Sequence, residues 1–223
     1  MASEIKANSI QDKTGTRVLA SDSGSAWSWG SGVPSGSIVQ VQHTQFGTHG
    51  GASQSSAMTS LSTNEDYVLQ ASTSSASTDG SATGILDVTI TPKITGSKMW
   101  IQSQWFGELD NDVSHDFMFF FWRSVSSSHT KLKSSNTGGS PAKGETGIMA
   151  PTRTYPVDHV GSTSEVCFMQ YFDTHGQNAG QAITYKLGFS SASGNISGLY
   201  TNRTNSDNGE CGVSNLCVME LAP

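Results

Sequence analysis

Six histidines, three cysteines and 18 acidic side chains are the groups with which this 223-residue chain would perform acid–base, nucleophilic or metal chemistry. The histidines, His43, His49, His115, His129, His159 and His175, are scattered singly. A metal centre needs several donors converging on one point, and only His43 and His49, which flank a turn, offer even two, with no identifiable third. Cys167, Cys211 and Cys217 lack zinc spacing. An odd number leaves at least one thiol unpaired, and buried free thiols are the expected state, although a bridge between Cys211 and Cys217 across the ends of one hairpin stays open. Glu108, Asp110, Asp112 and Asp116 cluster around a strand connection. Such a group supports calcium binding or, with Glu108 and Asp116 as a pair, glycoside cleavage by a depolymerase. Asp110-Asn111-Asp112 lacks the glycine and distal glutamate of an EF-hand loop, and a solvated acidic loop needs no ligand at all. G-x-S-x-G, phosphate-loop and H-E-x-x-H patterns are missing. The chain therefore reads as a non-enzyme with no catalytic residues, no resident metal and no cofactor. Asn195-Ile196-Ser197 and Asn202-Arg203-Thr204 match the glycosylation pattern, but in so Asn- and Ser-rich a chain chance matches are expected.

Charge narrows the partners. Twelve basic against 18 acidic residues give a net charge of -6, and only 13% of residues are charged. So few cations cannot neutralise a run of phosphates, which argues against nucleic-acid binding. The longest apolar run, around Phe117 to Trp122, falls far short of the roughly 20 residues a membrane helix needs, so no membrane insertion is expected. The N-terminus has no basic segment followed by an apolar core and does not read as a secretory signal.

The elements that would carry any site are strands. Ser, Thr and Gly are spread throughout and no long 3.6-residue apolar period exists, whereas short alternation between turn residues recurs. Val39 to Gln42 alternates, and Leu86, Val88 and Ile90 oppose Asp87 and Thr89. Met99, Ile101 and Trp105 share one face while Trp100, Gln102 and Gln104 share the other. Glu165 to Phe172, Ala182 to Ser190, Asn195 to Thr201 and Val213 to Leu221 add further strands. The spacing predicts an all-β fold, an antiparallel β-sandwich or barrel of seven to nine strands. Thr48 to Ser62 and Ala71 to Ala82 read as polar loops, and Ser124 to Ser164 as a long connection holding at most one strand near Ile148 to Tyr155.

Two segments depart from this pattern. Phe117-Met118-Phe119-Phe120-Phe121-Trp122 is apolar on both faces and must be covered twice, either by a long loop of its own chain or by another subunit. The expectation adopted is a subunit interface made by Phe117, Phe119, Phe120, Phe121 and Trp122, with Trp100 nearby. Residues 1–34 hold only scattered apolar groups, Ile5, Ile10, Val18, Leu19, Trp27 and Trp29, too few to offset the chain entropy of ordering them. They read as an attachment arm that needs a partner, with residues 35–223 forming the head domain.

The two ends and one internal strand pair carry a resemblance. Met1-Ala2-Ser3-Glu4-Ile5-Lys6-Ala7-Asn8-Ser9-Ile10-Gln11-Asp12-Lys13-Thr14-Gly15 resembles the opening M-A-S-E-I-K-V-N-x-I-x-D-x-x-G of virion structural proteins from marine tailed bacteriophages. Leu216-Cys217-Val218-Met219-Glu220-Leu221-Ala222 is similar to their closing I-T-L-M-E-x-A strand. Thr89-Ile90-Thr91-Pro92-Lys93-Ile94-Thr95-Gly96-Ser97-Lys98-Met99 is similar to their I-T-P-x-x-x-x-S-K-I segment. Their Y-K-V strand corresponds to Tyr185-Lys186-Leu187, while their L-x-R-G-S segment is replaced by Phe121-Trp122-Arg123-Ser124-Val125. The resemblance implies a non-enzymatic fibre, spike or capsid-decorating protein, assembled in the host cytoplasm and resident in the virion. It implies a jelly-roll head, a homotrimer, and an arm that contacts other virion proteins of the capsid, collar or tail. An alternative is a carbohydrate-binding receptor head, whose loops would meet a host surface glycan.

Overall fold

A computed structural model of the chain describes residues 9–11, 17–21, 27–29, 33–47, 56–59, 61–62, 65–72, 78–109, 117–134, 147–153, 163–191, 198–205 and 210–223. Every regular element among them is a strand, and the pairings are antiparallel. The alternating segments are strands because their β-branched and aromatic residues recur every second position, which lets one face be buried at a time.

Three short strands near the N-terminus, β1 (Ser9–Gln11), β2 (Arg17–Ser21) and β3 (Trp27–Trp29), make a sheet of their own. Its register sets Ile10 opposite Leu19 and Leu19 opposite Trp29. This part of the expected arm is thus a small sheet and not a featureless extension. Of the expected arm contacts, Ile10, Val18, Leu19, Trp27 and Trp29 fall on its strands, while Ile5 lies outside the described residues.

Twelve further strands form two larger sheets that curl into half-barrels. The five-stranded sheet runs β10 (Ser128–Leu132), β9 (Phe117–Val125), β13 (Ile183–Ser191) and β6 (Glu65–Val68), with β7 (Asp87–Ile90) also beside β13. The seven-stranded sheet is built on β8 (Lys98–Leu109), which pairs on one side with β12 (Glu165–Asp173), itself flanked by the short β11 (Thr152–Arg153). Along its other side β8 meets β15 (Ser214–Leu221) and then β14 (Gly198–Thr201). These lead outward to β4 (Ile38–Phe46) and β5 (Ser56–Thr59) respectively. Strands β5 and β10 occupy stretches expected to be loop. Neither short segment has an alternation long enough to read; β5 is held by β14, of equal length, and β10 by the longer β9.

One core joins the inner faces of the two larger sheets: Val88, Ile90, Phe117, Phe119, Phe121 and Phe189 come from one, Met99, Ile101, Trp105, Leu216 and Val218 from the other. The Phe117 and Phe189 rings stack with centroids 4.9 Å apart, and Trp105 lies 4.9 Å from Phe119. The Trp105 indole N–H donates to Thr201 Oγ1 at 3.0 Å, so its one polar atom is satisfied.

The aromatic strand β9 corrects the expected subunit interface. Phe117, Phe119, Phe120 and Phe121 are wholly buried within the single chain and Trp122 is 6% exposed. Phe120 and Trp122, which face away from the main core, form a second cluster with Val68, against which Ala82 and Ile148 pack. The backbone of Ile148 donates to Phe119 O at 2.7 Å, and Lys131 Nζ lies 4.3 Å from the centre of the Phe120 ring. A strand apolar on both sides is therefore covered by its own loops and the neighbouring strand β10. These five side chains offer nothing exposed from which to make an interface. Trp100, the sixth residue expected there, is on the other sheet and partly exposed.

Candidate functional site

The strict alternation of β8 sends Trp100, Gln102, Gln104 and Phe106 to the face opposite Met99, Ile101 and Trp105. Register then aligns the outward residues of four strands into cross-strand rows. Phe168, Gln104, Asn215 and Gln45 make one row; Gln170, Gln102, Cys217 and His43 the next; Phe172, Trp100, Met219 and Val41 the third. None of these twelve residues is Asp, Glu, Lys or Arg. In a chain of net charge -6 this is a continuous uncharged surface.

It is also the place where large apolar side chains reach solvent. Phe168 is 61% exposed, Phe172 56%, Ile38 52% and Val41 48%. Trp100 and Phe172 stack with ring centroids 5.5 Å apart and planes 13° from parallel. The Trp100 indole N–H donates to Gln170 Oε1 at 3.3 Å, which fixes that amide in the row beside the rings. Gln102, Gln104, Phe168, Gln170, Asn215 and Cys217 line a shallow depression of about 460 Å³ in the middle of this surface. Burial raises the Cys217 thiol above its usual value, so this sulfur is a weak nucleophile.

At one border the face ends on β4, which pairs with β15 alone. Its nine residues, Ile-Val-Gln-Val-Gln-His-Thr-Gln-Phe, contain neither charge nor proline. Gln40 Nε2 ties the start of the strand to Thr91 O at 2.6 Å. Among the described residues the remaining edge has no ladder partner. Of the other border strands, β10 carries Lys131, β6 carries Glu65 and Asp66, β7 carries Asp87, β11 has two residues, and β5, also uncharged, has only four.

The groups considered for catalysis are not brought together. Among the described residues no three His, Cys, Asp or Glu side chains are placed to hold a metal ion. Glu108 is buried and accepts backbone N–H groups of Thr163 and Asn205, a structural use of a carboxylate. Asp110, Asp112 and Asp116 lie outside the described residues, as do His49, His115 and His159. None of the three cysteines is in a disulfide; Cys167 is buried and its thiol is pushed up to about 12, while Cys211 is exposed. Asn202 is 3% exposed and spends its amide on Phe46 O and Ser214 Oγ, so it is closed to glycosylation; Asn195 lies outside the described residues.

Of the residues expected at the subunit interface, Trp100 belongs to the exposed face, where His43 and Cys217, weighed above for metal and thiol chemistry, also stand. Phe168 and Phe172 escaped notice because β12 has apolar groups on both sides, Cys167, Met169 and Tyr171 inward and Phe168 and Phe172 outward. The usable signal was Gln170 between two phenylalanines, opposite the Gln102 of β8. No protein-family model matches the chain, and no curated protein matches it.

Proposed function

We propose that this chain is a non-enzymatic virion structural protein, a fibre or decoration subunit that assembles as a homotrimer with a jelly-roll head and joins the particle through its N-terminal segment. The observation that supports self-assembly is the β4 edge. A long, uncharged edge strand with exposed apolar side chains is a template for adding another chain, and folded proteins ordinarily blunt such edges with charge, proline or a short length. Here Ile38 and Val41 stand exposed on it and nothing described defends it. A net charge of -6 disfavours the approach of copies on average, and an uncharged border adds no local charge to that cost. The number three, the virion setting and the attachment role of residues 1–34 rest on the resemblance of the two chain ends to marine phage structural proteins.

The test is the native mass in solution, by light scattering, of the full chain and of Val41→Lys. The full chain should have the mass of three copies. Val41→Lys should be monomeric at micromolar concentration with an unchanged far-UV spectrum, because a lysine on this border places charge where the next copy must add to the strand. A monomeric full chain defeats the reading, and a Val41→Lys variant of unchanged mass removes β4 from the junction.

A further inference from the structure

We infer that the depression on the outer face of the seven-stranded sheet binds a neutral oligosaccharide. A sugar ring presents an apolar C–H face and a rim of hydroxyls that both donate and accept. Its complement is an aromatic ring beside side-chain amides, which carry a donor and an acceptor in one plane. Phe168 supplies a free ring at one end of the depression, and the stacked Trp100–Phe172 pair supplies a second apolar platform further along. Phe168 and Phe172 are four residues apart on one strand, about 13 Å at the usual rise, which suits a short chain of sugars better than a single ring. Gln102 and Gln170 stand in the row between them, and Asn215 shares the row of Phe168; the amides of Gln102 and Asn215 make no hydrogen bond to another described side chain.

Charge selects the ligand class. With no Lys or Arg in the three rows, a uronate, a sialylated glycan or a phosphate chain seated in the depression finds no counter-ion beside it, the outward Lys98 standing beyond Trp100 at the end of β8, and an unpaired charge is costly to desolvate. A second copy of the same face is a poor occupant, since two concave patches leave a void and strand their amides without partners at about 1–3 kcal/mol each. The proposed self-assembly uses the β4 border and leaves this part of the sheet open. The inference does not depend on the number of copies.

The experiment is calorimetric titration of the full chain with cellohexaose, laminarihexaose, maltohexaose and isomaltohexaose, with hexagalacturonate as the charged comparator. The same titrations are run on Phe168→Ala and Gln170→Ala, whose side chains are exposed, so the fold is retained. At least one neutral hexasaccharide should bind with a millimolar or tighter dissociation constant. Phe168→Ala should weaken it about tenfold and Gln170→Ala about fivefold, with hexagalacturonate silent. No heat from any neutral ligand, equal affinity in both variants, or preference for hexagalacturonate overturns the proposal. A face closed by a second copy gives the first of these outcomes. The native mass is read separately, so loss of binding and loss of assembly are distinguished.

Discussion

Asp173 shows how this protein uses buried charge. It is 4% exposed, accepts Arg123 Nη1 at 2.7 Å and accepts the Tyr185 hydroxyl at 2.7 Å, which joins β9, β12 and β13 across the two sheets. Glu220, fully buried, accepts the backbone N–H groups of Lys93 and Ile94 at 2.9 Å and Gln40 Nε2 at 2.6 Å, so it fixes the turn after β7. Lys186 Nζ, also buried, donates to the carbonyls of Gly80 and Ala82 at 3.0 and 2.5 Å. Removing one member of such a set strands the other. Asp173→Ala should cost about 3 kcal/mol in urea denaturation, because Arg123 would be left largely buried without its anion.

His175 sits in the same neighbourhood. Its Nδ1 accepts the Gln177 N–H at 2.9 Å, which only the neutral ring can do. Burial holds the imidazole below its usual 6.5, with the nearby Arg123 acting in the same direction and Asp173 and Glu220 against it. The unfolded chain therefore binds the proton more readily than the native one. The stability His175 contributes is present above pH 6.5 and is lost as pH falls through its lowered value. Urea midpoints measured from pH 7.5 down to pH 4.5 should fall, and His175→Gln should flatten the part of that slope just below pH 6.5.

Among the elements, β9 and its neighbour β13 meet with a tolerance of tenths of an ångström. A Cβ on Gly188 would lie 2.7 Å from the Phe120 ring and 2.8 Å from Trp122, both held in a closed cluster. Gly188→Ala should therefore destabilise by about 1–3 kcal/mol by overpacking, seen as a lower urea midpoint with an unchanged slope. Phe119→Asp should abolish folding outright, since a carboxylate in the main core finds no partner there. The readout is loss of the folded far-UV spectrum. A folded variant that merely failed to assemble would return β9 to a subunit interface. For β4 and β12 the governing question is different. Val41 and Phe168 stand 48% and 61% exposed, so substitutions there should change assembly or binding and leave the melting temperature nearly as it was.

For the whole molecule, the two larger sheets share one core while the three-stranded N-terminal sheet pairs with neither. Under the proposed virion role, deleting residues 1–34 should leave a cooperatively folding protein of the same oligomeric state that no longer joins the particle. Incorporation is measured by binding to particles lacking the protein, and normal incorporation of the truncated chain would move attachment elsewhere. The long β-pairings of this topology connect residues far apart in sequence, such as β4 with β15 and β9 with β13. Folding should accordingly be slow, on the order of milliseconds to seconds, because loop closure is paid before those contacts form.

Period-2 alternation was enough to place β7, β8, β12, β13 and β15 and to tell the inward face of β8 from its outward one, because that pattern is local and each strand buries one side. Alternation could not show what covers a strand that is apolar on both sides. For β9 the cover is Val68, Ala82 and Ile148, residues distant in the chain, and only the folded arrangement brings them over Phe120 and Trp122. The uncharged rows on the outer face arise in the same way. Trp100, Phe172, Met219 and Val41 lie on four different strands, and it is long-range register, invisible in any one segment, that sets them side by side.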